Sequence, residues 1–324
     1  MKNSLISVIV PVFNNEQTIS ETINSVINQT NPNWELICVD DGSEDDSVSI
    51  IREYCKKDNR ISLIIRDIEP KGGSHCRNIG TFNANGEYVM FLDADDLLSE
   101  TCLQNRLKAI ENTNYDFVVF PMARFSNTIE KSVIYSNLIT NNFKYYFATS
   151  FAAWQVTSPL FRIDFFRNLQ GFDISFLRLQ DVELHLRAIL CSKSYKVYKD
   201  AKPDCFYRFS KSTKKINVKK FENCQVAYKQ YIDLIMKNID KFDNQQDLSK
   251  SMLCLLACII FTINIIKTKK GNYLTLDFIN EARIDKFLIE KDRFIYNILK
   301  NTPTCQMKII LSYLIRKLTL KTIK

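Results

Sequence analysis

Glycine and proline are scarce in this chain of 324 residues, seven of each, which excludes collagen-like and low-complexity architectures. Histidine occurs only twice, and the ten cysteines include no Cys-x-x-Cys pair, so neither a zinc site nor a disulfide framework is expected. Several cysteines sit instead in apolar runs. Cys38 lies within Leu36–Val39, and Cys254 and Cys258 stand one helical turn apart, where a small buried thiol is the simplest role. A reducing compartment follows as the expectation. Hydrophobic runs are short as well: the longest, residues 252–266, is a turn short of a membrane span. The apolar run before Pro11 is too brief for a signal peptide, so a cytoplasmic location is expected.

What the chain does have is a full complement of core material, with 46% hydrophobic, 12% aromatic and 25% charged residues. Five of the seven glycines (Gly42, Gly72, Gly73, Gly80 and Gly86) fall in the first 86 residues, where a site built from loops is therefore expected. The net charge of +8 is concentrated in two stretches, 208–220 and 300–324, each with six basic and no acidic side chains. Without those twelve cations the rest of the chain is mildly acidic, at −4. No zinc-finger, RNA-recognition or helix-turn-helix pattern accompanies the charge, and a nucleic-acid partner is not expected.

Over the first 120 residues, β-branched runs alternate with segments of helical period, the pattern of an α/β domain with a mostly parallel sheet flanked by helices. Strands are predicted at Leu5–Val12, Trp34–Asp40, Ile61–Arg66, Glu87–Leu92 and Phe117–Phe120, with helices at Glu16–Gln29, Asp45–Lys57, Ser74–Asn83 and Glu100–Asn112. Further strands are predicted at Val133–Tyr135, Lys196–Tyr198 and Cys205–Phe209, with a helix at Asp181–Cys191. From about Val218 the pattern becomes helical throughout. The predicted organisation is a catalytic domain over 1–217, with its donor-binding half in 1–120 and its acceptor side in 121–217, and a helical region over 218–324.

Ligands of open α/β sheets bind beyond the carboxyl ends of the strands. The acidic triplet Asp93, Asp95 and Asp96 follows a buried strand at that end, and its carboxylates repel one another unless a divalent cation joins them with a phosphorylated ligand. A capped helix start is the competing role, better suited to Asp93 or Asp96 singly than to the triplet. Asp40-Asp41-Gly42-Ser43 ends the second strand; a carboxylate there either accepts a hydrogen bond from a base or ribose, or simply closes the turn. Lys71-Gly72-Gly73 opens a helix that carries Arg77, a combination able to meet a diphosphate.

Taken in order, the segments Ser7–Asn14, Val39–Asp45, Arg77–Gly80 and Asn85–Asp96 resemble the signatures of the family 2 glycosyltransferases, whose nucleotide-sugar-binding fold is called GT-A. The resemblance is strong over 5–120, extends to about 210 and carries no motif beyond. It implies an inverting, metal-dependent transfer of a sugar from a nucleotide-sugar, a UDP-sugar favoured, to a glycan or lipid-linked glycan in polysaccharide biosynthesis. It implies further that Asp40 contacts the base, that Pro11, Phe13 and Asn14 help wall the donor pocket, and that Arg77 serves the donor side. Asp93 and Asp95 would form the Asp-x-Asp pair, Asp95 reaching Mn2+ or Mg2+ on the diphosphate and Asp93 the ribose or the metal, with Asp96 toward the sugar or acceptor.

The general base implied by the resemblance is Asp181, in Leu179–Arg187, with Gln180 replacing the usual glutamate and Glu183 as the reserve candidate. Asp181 also suits a helix cap, and the two roles are compatible. In Tyr207-Arg208-Phe209-Ser210, Ser210 stands where relatives carry a metal-shell histidine. Trp154 has two candidate roles, an acceptor-side stacking surface and a core indole. The basic, apolar segment 308–318 has two also, an ordinary packing helix and a contact, continuing through 324, with the inner face of the cell membrane. Two other activities compete with transfer: a catalytically silent nucleotide-sugar-binding or assembly subunit, against which the intact acidic residues stand, and a nucleotidyltransferase. The nucleotidyltransferases need a Gly-rich basic first loop, and Pro11–Glu16 contains neither glycine nor a cation.

Overall fold

The structure is a computed structural model that describes residues 4–138, 140–209, 218–267 and 284–301. Among these, a seven-stranded sheet has the order β10-β6-β9-β4-β1-β2-β3. Its strands are β1 (Ile6–Val12), β2 (Trp34–Asp40), β3 (Ile61–Ile65), β4 (Tyr88–Phe91), β6 (Phe117–Val119), β9 (Pro159–Arg162) and β10 (Tyr195–Val197). A four-stranded sheet has the order β5-β11-β7-β8, from β5 (Leu97–Leu98), β7 (Met122–Phe125), β8 (Val133–Ile134) and β11 (Cys205–Arg208).

β1 lies mid-sheet between β2 and β4, parallel to both, and Ile6, Val8, Ile9 and Val10 are wholly buried. A strand covered on both faces reads as an unbroken apolar run, which is why Ile6–Val12 does not alternate. Helices α1 (Ile19–Ile27), α2 (Ser47–Lys57), α3 (Gly73–Asn83) and α4 (Cys102–Ile110) follow β1, β2, β3 and the β4–β5 segment. In α1 the buried positions Ile19, Thr22, Ile23 and Val26 recur at helical spacing and cover the sheet. The helix begins three residues later than its periodicity suggests because Asn15 O accepts from the amides of Thr18 and Ile19, forming a turn first.

The sheet is mixed. β9 runs antiparallel between β4 and β6, pairing Val89 with Phe161 and Val118 with Leu160, in a sheet otherwise parallel as expected. Inside the same body, the Arg106 guanidinium of α4 is fully buried. It donates to both Asp204 carboxylate oxygens, at 3.0 and 2.6 Å, and to Thr157 O at 2.6 Å. That pair fixes the residue from which β11 departs.

Contacts divide the chain into two compact units. The first is made of Met1–Leu138, Trp154–Ile174 and Cys191–Ser212 and holds both sheets. The second draws on Ile139–Ala153, Ser175–Leu190 and the C-terminal stretch, and is helical. It contains α5 (Phe143–Ala148), nearly all of α7 (Gln180–Cys191), α8 (Val218–Lys237), α9 (Gln245–Lys267) and α10 (Glu290–Asn301); the intervening α6 (Ile163–Asn168) belongs to the first. Within the second unit, buried polar groups are satisfied in pairs. Tyr231 donates to Phe147 O at 2.7 Å, and Ser249 donates to the buried Asp292 while accepting from the Ile289 amide at 3.1 Å. No helix among the described residues is long and apolar enough to cross a membrane. Ser210 and the segment 308–324 lie outside the described residues.

Candidate active site

The loops after β1 and β2 are stitched together by their own polar side chains. Asn14 adopts a left-handed backbone (φ 54°), donates its amide to Ser43 Oγ at 3.0 Å and accepts from the Glu44 amide at 2.8 Å. The Asn15 amide donates to Ser47 Oγ at 2.8 Å. Asn14 therefore braces the two loops with its side chain, and Phe13 beside it is left half exposed.

The two adjacent aspartates diverge. Asp40 is 1% exposed and turns back on its own loop, accepting from the Gly42 and Ser43 amides, each at 3.0 Å, and from the Ser43 hydroxyl. Asp41 points the other way. It forms an ion pair with buried Arg66 and accepts from the Gly72 amide at 2.6 Å, which ties the end of β2 to the start of α3. Gly42 allows this reversal with φ 81°, in the region that favours glycine.

A cleft of about 260 Å³ opens at this end of the sheet, lined by Pro11, Phe13, Asn15, Asp41, Gly73, Cys76, Arg77 and Asp93 among others. Four residues expected from the sequence, Pro11, Phe13, Arg77 and Asp93, meet in it. Asp41 lines it too, while Asp40, the base contact expected from the sequence, sits one residue before it at the end of β2 with its carboxylate on the Gly42-Ser43 turn. Lys71 Nζ stands 5.7 Å from the Phe13 ring centroid, and Arg77 pairs with Asp93 at 2.5 Å while lying 5.3 Å from the Phe172 ring. The cleft thus joins the start of α3, Lys71 beside the open Phe13 ring and Arg77 beside Phe172, an arrangement with the positive charge and flat apolar area that a phosphorylated aromatic ligand needs.

The acidic loop is held by its backbone. Ala94 O accepts from Thr18 and Thr22 at 2.9 and 3.0 Å, and Asp96 O accepts from Thr22 at 3.0 Å. Arg208 closes the other side: its amide donates to Asp96 Oδ1 at 2.9 Å, its Nε to Asp95 O at 2.8 Å, and its terminal nitrogen to Glu21 at 2.6 Å. Burial first, and then the charge of Asp93, push the Asp96 carboxyl well above the usual carboxylate range. Periodicity gave no sign of Thr18, Thr22 and Glu21, whose role depends on the facing loop.

Among the described residues no group of three or more His, Cys, Asp or Glu side chains is placed to hold a metal ion by itself. Asp93 and Asp95 are partly open and offer hard carboxylate oxygens, so they fit Mn2+ or Mg2+ as part of a shell completed by another oxygen ligand. Trp154 is wholly buried in the first unit, the core role that competed with sugar stacking at that position. In the second unit Asp181 stands half-buried in the first turn of α7. Glu183 is 3% exposed and engaged by Arg187 at 2.6 and 2.9 Å, which leaves Asp181 the more accessible carboxylate of that turn.

The mixed sheet, with Asp93-Ala94-Asp95 following the carboxyl end of β4, has the GT-A fold. Residues 7–166 match the model described as glycosyl transferase family 2 and form a domain of that family. An uncharacterized glycosyltransferase of Rickettsia bellii is 38% identical over 117 residues, 36% of this chain and 16% of that protein. Escherichia coli WfgD, a UDP-Glc:alpha-D-GlcNAc-diphosphoundecaprenol beta-1,3-glucosyltransferase, is 36% identical over 118 residues, 36% of this chain and 46% of its own length. The match thus spans less than half of either relative. The crystal structure of S. aureus TarS 1-349 in complex with UDP superposes with TM-score 0.65 at 20% identity, covering 98% of this chain and 92% of that one.

Proposed function

We propose that this chain is an inverting, metal-dependent glycosyltransferase that moves a sugar from a UDP-sugar to a glycan or lipid-linked glycan acceptor. The observation that carries the reading is the convergence of Phe13, Arg77, Asp93 and the start of α3 on one cleft beside the Asp95 loop. The exposed Phe13 ring offers a stacking wall for a base, and Lys71 and Arg77 supply positive charge for a diphosphate. The UDP-linked donor and diphosphoundecaprenol acceptor in the name of WfgD, and the UDP bound to TarS, support the same donor class. A lipid-linked acceptor in turn supports a peripheral position at the inner face of the cell membrane.

In this reading Asp93 and Asp95 hold a divalent cation. A bound Mn2+ or Mg2+ supplies Lewis-acid stabilisation of the departing diphosphate. Arg77, now paired with Asp93, turns toward the phosphates and releases that carboxylate. The acceptor hydroxyl attacks the anomeric carbon, the bond from that carbon to the phosphate oxygen breaks, and the hydroxyl proton passes to Asp181. Arg208, Thr18 and Thr22 keep the acidic loop from moving, so the carboxylates need no reorganisation as charge develops.

Calorimetric titration of UDP and GDP, each with and without Mn2+, tests the donor site. UDP is expected to bind with metal and to lose at least about tenfold in affinity, or roughly 1.4 kcal/mol, in Asp95→Ala. A folded protein that binds neither nucleotide refutes the reading. Asp181→Asn is expected to leave UDP binding intact and to lower kcat by about 10²- to 10⁴-fold, the range for removing a general base. Unchanged turnover removes Asp181 from that role.

A further inference from the structure

The small sheet has a face that the donor site does not use. Register puts Tyr207 beside Arg124 and Arg124 beside Val133, in one row across β11, β7 and β8. On the far side, β5 pairs Leu97 with Phe206, so Asp96, one residue earlier, comes level with Tyr207. The row therefore begins at the acidic loop and ends at β8, the outer strand of this sheet among the described residues. Lower on the same face, Met122 and Cys205 belong to the main core. The face comes to the surface on either side of Arg124, at Tyr135, which is level with Met122 and 40% exposed, and at Phe209, one rung beyond the row and 43% exposed.

These rings form an ordered platform. Tyr135 and Tyr207 stack with centroids 5.3 Å apart and planes 10° from parallel. Exposed Arg124 lies 5.9 Å from the Tyr135 ring and 5.6 Å from the Phe209 ring. Burial first, then Tyr135 and only after it the charges of the acidic loop, raise the Tyr207 hydroxyl. On the opposite side of β11, Arg208 is engaged with that loop and with Glu21, which leaves the platform cation free of that task.

We propose that this platform is the binding surface for the acceptor glycan, which stacks pyranose rings on Tyr135 and Phe209 and places an anionic substituent against Arg124. The proposal rests on the glycosyltransferase reading and adds to it a class of acceptor, an anionic glycan strand several sugars long. Aromatic rings offer flat apolar area at little entropic cost, and the guanidinium fits carboxylate or phosphate with two parallel donors. A surface whose central row starts at the acidic loop would hold the chain behind the reacting hydroxyl.

The test uses the full chain, a hexamer of galacturonate as the anionic probe, maltohexaose as the neutral one, and UDP with Mn2+ as the donor control. Calorimetry is expected to show hexagalacturonate binding that falls about five- to tenfold in Tyr135→Ala and in Phe209→Ala, with UDP binding unchanged. In Arg124→Gln the preference for the anionic over the neutral hexamer is expected to vanish. The inference is overturned if wild type binds UDP but not hexagalacturonate, or if the aromatic variants bind it as wild type does. It is overturned equally if sedimentation reveals a dimer that Tyr135→Ala dissociates, for then the β8 edge meets a second copy. Loss of UDP binding with variant-sensitive glycan binding retained would instead defeat the donor assignment and leave the glycan surface standing.

Discussion

Two neighbouring carboxylates show how much one residue's direction decides. Asp40 spends both oxygens on the turn that follows it, whereas Asp41 holds a buried guanidinium and lines the cleft. Removing one partner of a buried ion pair leaves the other charge without compensation, typically at a cost of about 3–5 kcal/mol. Asp41→Ala is therefore expected to lower the urea midpoint sharply, and Asp41→Asn less so, because an amide oxygen still accepts from the Gly72 amide. Equal midpoints for wild type and Asp41→Ala would show that Arg66 finds another partner. The sequence placed the pair Asp40-Asp41 at the right strand end but did not assign their directions, because that depends on Arg66 and Gly72, 25 and 31 residues further on. Asp93 and Arg77 were legible from local motif alone; their mutual ion pair was not.

At the scale of elements, α3 lies against β1 through a missing side chain. A Cβ on Gly80 would stand 2.3 Å from Ile9 Cγ2, so the helix can approach the strand only where that atom is absent. Gly80→Ala is expected to cost roughly 1–3 kcal/mol by overpacking. Combining it with Ile9→Ala should restore part of that loss, and a double-mutant cycle of denaturation midpoints that adds without coupling would rule out the close approach. The elements around this contact were the legible ones: β2 spans Trp34–Asp40 as predicted, and β1, β3 and β4 agree within a residue at each end. Their strong apolar runs and intervening helices leave little choice. β9 escaped notice because Pro159–Arg162 is only four residues long and takes its direction from pairing with β4 and β6. β5, with two residues, carries no period at all.

For the molecule as a whole, charge and burial act on stability through pH. Most of the basic excess lies in 210–217 and 302–324, outside the described residues, so the acid response is better sought in a buried group. His185 in α7 is wholly enclosed, 5.6 Å from the Phe147 ring, and burial lowers its pKa from 6.5 to about 3. The folded chain therefore keeps it neutral while the unfolded chain takes up a proton below about pH 6.5. The contribution is fully present above 6.5 and is lost as pH falls toward 3. The slope approaches one proton, about 1.4 kcal/mol per pH unit, once the unfolded histidine is charged. His75 is shifted downward too, mainly by burial and then by Arg66, and adds a smaller loss of the same sign. Urea midpoints measured from pH 7 to pH 5 should fall in wild type and fall much less in His185→Leu. That leucine replaces a neutral ring in an apolar site, so the variant is expected to fold. Parallel declines in the two proteins would mean that His185 is protonated without unfolding, and the enclosure of α7 would have to open in acid.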